Sequence, residues 1–328
     1  MGDLYPLFFE PVFKNYIWGG RNLEKLGRSL PENERVAESW EIAAHDDGMA
    51  VVKNGTYAGM ELGELLNQLG EILVGKNNQW ALKRGKFPLL VKLIDANKNL
   101  SVQVHPDDDY AKRYEGNELG KSEMWVILDA KPGAEIVYGL DEHITKERFK
   151  KAIKDGDLGE YLHRVEIKQG DHVCVPSGTL HAILEGALLA EIQQNSNTTY
   201  RVFDWNRVGD DGEPRELHVE KALDVIDFNQ VKKALPLPQE KESEIGFSVE
   251  NLCRNQYFTT DRYYLEESAT INGLCDGSTL EIWGLLSGTI KLNGEEMNRI
   301  TFVLLPASMG PYEIKTNEAS VLLRTYVE

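Results

Sequence analysis

Cysteine is scarce: Cys174, Cys253 and Cys275 are the only three in 328 residues, and no two form a CxxC pair. That argues against a thiolate zinc site or a disulfide framework and makes reduced thiols in a cytoplasmic protein the expected state. Basic charge is scarce as well. Lys and Arg total 36 against 53 Asp and Glu, a formal net charge of -17. So acidic a chain lacks the cationic footprint of a nucleic-acid binder, and an anionic partner would have to be met by a local cluster of cations. No apolar run is long enough to cross a bilayer. The opening MGDLYPLFFEPVFKNYIWGG has neither the basic start nor the cleavage site of a signal peptide. Histidine is absent after His218, so an imidazole metal site is confined to the first two thirds of the chain.

Against these absences stands one unusual strand. The stretch SVQVHPDDDYAKRYEG begins at Ser101, and alternate side chains of a strand face opposite ways. Gln103 and His105 therefore share one face, with Val102 and Val104 on the other. Pro106 and the acidic residues behind it predict a helix start. KSEMWVILDA returns to strand composition, and VEIKQGDHVCV reads as a strand pair turning at Gln169-Gly170-Asp171. Upstream, SWEIAAHDDGMAVV reads as a hairpin turning at Asp46-Asp47-Gly48, and leucines three and four apart predict an amphipathic helix over 59–73. A charged helical pattern covers 145–162. KKALPLPQEKESE is charged, proline-bearing and poor in core residues, so it is read as the connection between domains 1–234 and 235–328. Beyond it, short strands alternate with Gly and Asn turns, the rhythm of a small β sandwich or barrel.

GDHVCVPSGTLH spaces its residues as Gly-x5-Pro-x-Gly-x2-His, from Gly170 through Pro176 and Gly178 to His181. Pro176 and Gly178 form a tight corner that aims His181 back across a barrel mouth. This spacing resembles the second signature of the cupin barrels, and Gln103-x-His105 followed by Glu123 resembles the first. The resemblance implies a mainly β chain with inserted helices: a double-stranded β-helix (cupin, jelly-roll) barrel that carries the chemistry, and a C-terminal cupin-like β domain without a histidine site. Two imidazoles, a carboxylate and an amide oxygen suit Zn²⁺, Mn²⁺ or Fe²⁺.

YIWGG, LSVQVHPD, KSEMW, PSGTLHAI and TTYRVFDW follow one another between residues 16 and 205. In that order they resemble the type I mannose-6-phosphate isomerase family in its short bacterial form. The resemblance implies an aldose-ketose isomerase with one zinc per chain, interconverting mannose 6-phosphate and fructose 6-phosphate through a cis-enediol(ate). It assigns Gln103, His105, Glu123 and His181 to the metal. It assigns Arg201, Glu191 and Lys121 to the chemistry, with Glu191 as proton relay and Lys121 as its competitor, and Lys92, Ser101 and Trp18 to the substrate. Arg201 keeps its proton, so its expected part is to stabilise charge or hold substrate. Long forms of the family carry an aspartate four residues before this arginine; here Asn197 stands there, and it cannot transfer protons.

The implied partner is a small-molecule sugar phosphate, with no nucleic acid and no membrane, and the sequence leaves the oligomeric state open between monomer and homodimer. Two rival readings are another metal-dependent cupin enzyme, such as an oxygenase with redox-active iron, and a non-catalytic sugar-phosphate-binding regulator suggested by Asn197. His143, His163, His172 and His218 read as hydrogen-bonded structural residues.

Overall fold

Period-two alternation organises the unit built from Phe13–Ser39 and Lys92–Pro236. The computed structural model describes residues 4–328. The strands of this unit, three of them extending past its limits, are β1 (Val12–Lys14), β2 (Glu38–Ile42), β3 (Leu89–Ala96), β4 (Val102–Val104), β5 (Glu123–Ala130), β6 (Glu135–Leu140), β7 (Leu162–Glu166), β8 (His172–Val175), β9 (His181–Ile183), β10 (Ala187–Gln194) and β11 (Tyr200–Phe203). They form a five-stranded sheet in the order β7-β6-β9-β4-β11 and a six-stranded sheet in the order β8-β5-β10-β3-β2-β1. Helices α1 (Asp108–Tyr114), α2 (Lys146–Asp155) and α3 (Val219–Val225) are inserted between strands.

Ile136, Tyr138 and Ile183 of the five-stranded sheet share a buried core with Ile94, Trp125, Ile127 and Leu189 of the six-stranded one. The two sheets therefore pack face to face, the layering of a jelly roll. Residues one step along, among them Val102, Val104, Ala182 and Val202, point the other way, onto Phe149 of α2 and Leu223 of α3. Alternation then sends Gln103, His181 and Arg201 to the inner face together. Gln103 is the register partner of both His181 and Arg201.

The inner face changes character along its length. Lys92 precedes Ile94 on β3, and Glu123 precedes Trp125 and Ile127 on β5. On antiparallel β10, Leu189 comes before Glu191 and Gln193. The registers Glu123 to Gln193 and Trp125 to Glu191 gather the polar residues at one end. One end of the core is dry packing and the other a buried polar mouth.

In the unit built from residues up to Val12, Trp40–Val91 and Leu237–Glu328, the C-terminal strands form two further sheets. Gln239–Glu244, Phe247–Arg254, Thr259–Leu265, Ser320–Tyr326, Glu281–Ser287 and Thr301–Leu305 make one in that order. Thr270–Cys275, Gly310–Thr316, Thr289–Leu292 and Glu295–Asn298 make the other. Trp283, Leu285, Ile290, Ile314 and Leu322 fill their common core. Inside it the Glu281 carboxylate accepts from Trp283 Nε1 at 2.9 Å, Tyr312 Oη at 2.6 Å and Arg324 Nη2 at 2.6 Å.

Several sequence expectations shift in detail. The helix expected over 59–73 runs from Leu62 to Leu69 and stops at Gly70, whose φ of 51° breaks the helical path before a short turn over Glu71–Val74. The helix expected at Pro106 begins at Asp108, because the Asp107 carboxylate accepts from Tyr110 N at 2.8 Å and caps it. The pattern over 145–162 yields α2, capped by Thr145 and ended by left-handed Gly156. Residues 239–244, read as connection, form an exposed edge strand on Phe247–Arg254, since an edge needs backbone pairing on one side and no burial. Cys275 is a buried free thiol, the state expected of it.

Candidate functional site

The corner at Pro176–Gly178 is set by backbone. Gly178 sits at φ 84°, its N–H donates to His105 O at 2.9 Å, and a Cβ there would stand 2.9 Å from Val225 O. Glycine is required by both conformation and space. The turn places Thr179 O 2.8 Å from His181 Nδ1, while Thr198 O lies 2.9 Å from His105 Nδ1. Each ring thus donates Nδ1–H to a carbonyl and turns the lone pair of Nε2 inward. Burial pushes His181 down to about 4, and burial with the charge of Lys121 pushes His105 well below the usual range. Both imidazoles are neutral donors.

Those lone pairs meet a carboxylate. His181 Nε2 is 3.4 Å from Glu123 Oε1 and His105 Nε2 is 3.5 Å from Glu123 Oε2. Burial, reinforced by the charge of Glu191, raises Glu123 to about 7. A carboxylate so placed gains from a neighbouring cation. Ligand atoms of His105, Glu123 and His181 all lie within 4.8 Å of one another, a spread that one metal ion can bridge. Gln103 completes the group: its Nε2 is 3.5 Å from His181 Nε2, and its Oε1 accepts from Ser101 Oγ at 3.3 Å. Turning the amide over would present Oε1 to the same point. The donor set is nitrogen and oxygen without sulfur, which fits zinc and its neighbours among the divalent metals.

Around this cluster the charges alternate. Lys121 Nζ lies 3.1 Å from Glu123 Oε2 and 3.3 Å from His105 Nε2. Lys92 Nζ lies between Glu38 Oε2 at 3.4 Å and Glu191 Oε1 at 3.5 Å. Burial works against the Lys92 charge, but Glu38 and Glu191 outweigh it and hold the ammonium above its ordinary value. Glu191 Oε2 also accepts from Trp125 Nε1 at 3.0 Å. Burial would raise Glu191, yet Lys121 and Lys92 keep it below the usual carboxylate range. It is the ionised member of the pair with Glu123.

A polar cavity of about 270 Å³ opens on this arrangement. Trp18, Lys92, Ser101, Gln103, Lys121, Glu191 and Arg201, seven of the ten residues singled out from sequence, line it. The other three, His105, Glu123 and His181, meet Gln103 and Lys121 at its edge. Trp18 stacks on Tyr16, the ring centroids 5.7 Å apart. Asn197 is also in the wall. Sequence reasoning missed Glu38, Thr199 and Arg215, which line the same cavity. A carboxylate within the strand text AESWEI was the available signal for Glu38. Arg215 lies in a turn-rich connection that carries no period.

Comparison with known proteins gives the same direction. The model of the family described as phosphomannose isomerase type I, catalytic domain, matches residues 7–146. A Bacillus subtilis protein named probable mannose-6-phosphate isomerase is 42% identical over 320 residues, 95% of this chain and 96% of that protein. The mannose-6-phosphate isomerase of Streptococcus mutans is 42% identical over 264 residues, 80% of each chain. The crystal structure of mannose 6-phosphate isomerase from Bacillus subtilis superposes with a TM-score of 0.85 at 36% identity, covering 98% of this chain and 99% of that one.

Proposed function

The chain belongs to the type I mannose-6-phosphate isomerase family, and on that premise we propose that it interconverts mannose 6-phosphate and fructose 6-phosphate with one zinc ion per chain. The observation that carries the reading is the convergence of His105 Nε2, His181 Nε2 and the Glu123 carboxylate at the edge of a cavity lined by cations. His105, His181, Glu123 and the amide oxygen of Gln103 would hold the metal. A zinc ion held there would supply Lewis-acid charge that offsets the negative charge developing on the oxygens of the open-chain sugar.

The protein's own groups supply the rest. Glu191 is ionised and pinned by Trp125 Nε1, so Oε1, on the Lys92 side, takes the proton from C2 and returns it at C1 by way of a cis-enediol(ate), while the proton of the C2 hydroxyl passes to the oxygen at C1. Lys92 and Lys121 hold positive charge beside the two carboxylates and keep that face of the cavity from repelling an anionic sugar. Lys121 is the alternative proton carrier, and Ser101 and Trp18 position the sugar. Arg201 remains protonated throughout and supplies charge, not basicity. Asn197, in the wall, donates or accepts hydrogen bonds but carries no proton across.

A coupled assay that detects fructose 6-phosphate formed from mannose 6-phosphate, run alongside a metal determination, tests the proposal. Turnover at one zinc per chain is expected. Full metal occupancy without turnover would overturn it.

A further inference from the structure

We propose that Arg215 and Arg201 together form the anion subsite that receives the phosphate of the substrate, with Asp204 as the residue that positions Arg215. This deepens the isomerase reading and rests on it. Four cations line the cavity, Lys92, Lys121, Arg201 and Arg215. The two lysines face carboxylates: Lys92 lies between Glu38 and Glu191, and Lys121 is against Glu123. The arginine side is different. Arg201, Arg207 and Arg215 are gathered around the buried Asp204 carboxylate, and with the exposed Glu216 carboxylate also acting on Arg201 the group still keeps a net positive charge. A dianion entering this cavity is drawn to that side.

The hydrogen bonds make the same point. Arg215 donates Nε to Asp204 Oδ2 at 2.8 Å and Nη2 to Asp204 Oδ1 at 2.6 Å, a two-point clamp that fixes the plane of its guanidinium. Among the described residues no protein acceptor meets its Nη1. Arg207 shares the same carboxylate, with Nη2 at 2.8 Å from Oδ1, and is tied through Nη1 to Asn99 O. Arg207 is thereby spent on structure, and it does not line the cavity. Arg201 Nη1 donates to Glu216 O at 2.9 Å, but its Nε is buried without any partner. An orphaned buried donor costs stability unless something accepts from it, and a ligand oxygen is the acceptor this cavity admits. Arg201 pairs in register with Gln103, beside the metal group, whereas Asp204 lies three residues further, roughly 10 Å along the chain. The subsite therefore begins next to the reacting centre and extends away from it, as the phosphate end of an extended sugar phosphate requires.

The test uses Arg215→Gln, Arg215→Lys and Asp204→Asn in the full-length, metal-loaded protein. It reads steady-state kinetics with mannose 6-phosphate, and binding of inorganic phosphate by titration calorimetry. Arg215→Gln is expected to raise KM for mannose 6-phosphate and to weaken inorganic phosphate binding by about 10–100-fold, the worth of charge-assisted hydrogen bonds, while kcat changes far less. Arg215→Lys keeps charge without the planar fork and is expected to fall between Arg215→Gln and wild type. Asp204→Asn should raise KM more than it lowers kcat, with zinc content unchanged. Unaltered KM and phosphate affinity in Arg215→Gln, or a fall in kcat as large as that in kcat/KM, would overturn the subsite. If the parent protein binds phosphate in an Arg215-dependent way yet does not isomerise mannose 6-phosphate, the subsite stands and the isomerase reading falls. If the parent turns over and Arg215→Gln matches it, the reverse holds.

Discussion

His181 Nε2 lies 3.4 Å from Glu123 Oε1, and both side chains are shut off from solvent. A neutral ring nitrogen and a carboxylate oxygen both present lone pairs, so this approach calls for a proton or a cation shared between them. A metal ion meets that requirement. Glu123→Ala and His181→Ala should each lose the bound metal and reduce turnover at least about a thousandfold, since a site that generates electrostatic stabilisation is removed whole. Elemental analysis of the purified variants beside the kinetic assay checks both. Retention of stoichiometric metal in either variant would contradict the ligand assignment.

Removing the metal from the intact protein is the complementary experiment. A chelator should abolish turnover, and added zinc should restore it. Because the ligands bind metal in the folded state, metal at about 1,000 times its dissociation constant contributes about 4 kcal/mol to stability, so the thermal midpoint should fall on chelation. Differential scanning calorimetry with and without chelator measures this directly. An unchanged midpoint would show that the cluster holds no tightly bound ion.

Lys92 is enclosed between Glu38 and Glu191. Lys92→Met leaves two buried carboxylates without their shared cation, at a cost of about 3–5 kcal/mol. Denaturant unfolding should register that loss. A companion Glu38→Gln change removes one of the two negative charges and should recover part of it in the double variant. No recovery would mean that the three groups are not coupled.

Arg201→Ala should keep the metal but lose rate, because the guanidinium contributes charge and hydrogen bonds without contributing a ligand. A decrease of about 10²–10³ in kcat/KM is expected for removal of one charged stabilising group. Near-normal turnover would remove Arg201 from the site's electrostatics.

Asp204 gives a pH signature. Burial would raise its pKa, but hydrogen bonds from Arg215 and Arg207 lower it below the ordinary aspartate value. A depressed carboxylate contributes stability that is fully present above the unfolded-state pKa, about 3.9, and is lost as pH falls through the lower folded value. Asp204→Asn should thus cost about 2 kcal/mol at neutral pH and progressively less below pH 4. Chemical denaturation at a series of pH values reads both features. An equal cost at every pH would mean that the ion pairs with the arginines contribute nothing.

Strand faces and the gathering of His105 and His181 on one buried face were legible in the sequence because both follow short-range rules. Alternation assigned Gln103 and His105 to one face against Val102 and Val104, and the Pro176–Gly178 corner pointed His181 inward. The resemblance in motif order supplied Lys92, Lys121, Glu191 and Arg201 as a set. Glu38 and Arg215 escaped because each earns its place through an approach over long sequence separation, Glu38 to Lys92 and Arg215 to Asp204 from a turn-rich connection. The edge strand over 239–244 escaped for the opposite reason: its six side chains are all exposed, so no hydrophobic pattern marks it. The end of the helix Leu62–Leu69 at Gly70 depended on a backbone angle that leucine spacing does not encode.

The most direct measurement follows both sugars by proton NMR in a solution of the protein with zinc as its only metal. Starting from mannose 6-phosphate or from fructose 6-phosphate, the same equilibrium mixture should be reached, catalytically and without oxygen uptake. Failure to interconvert the two at one zinc per chain would contradict the assignment of His105, Glu123 and His181 to an isomerase metal centre.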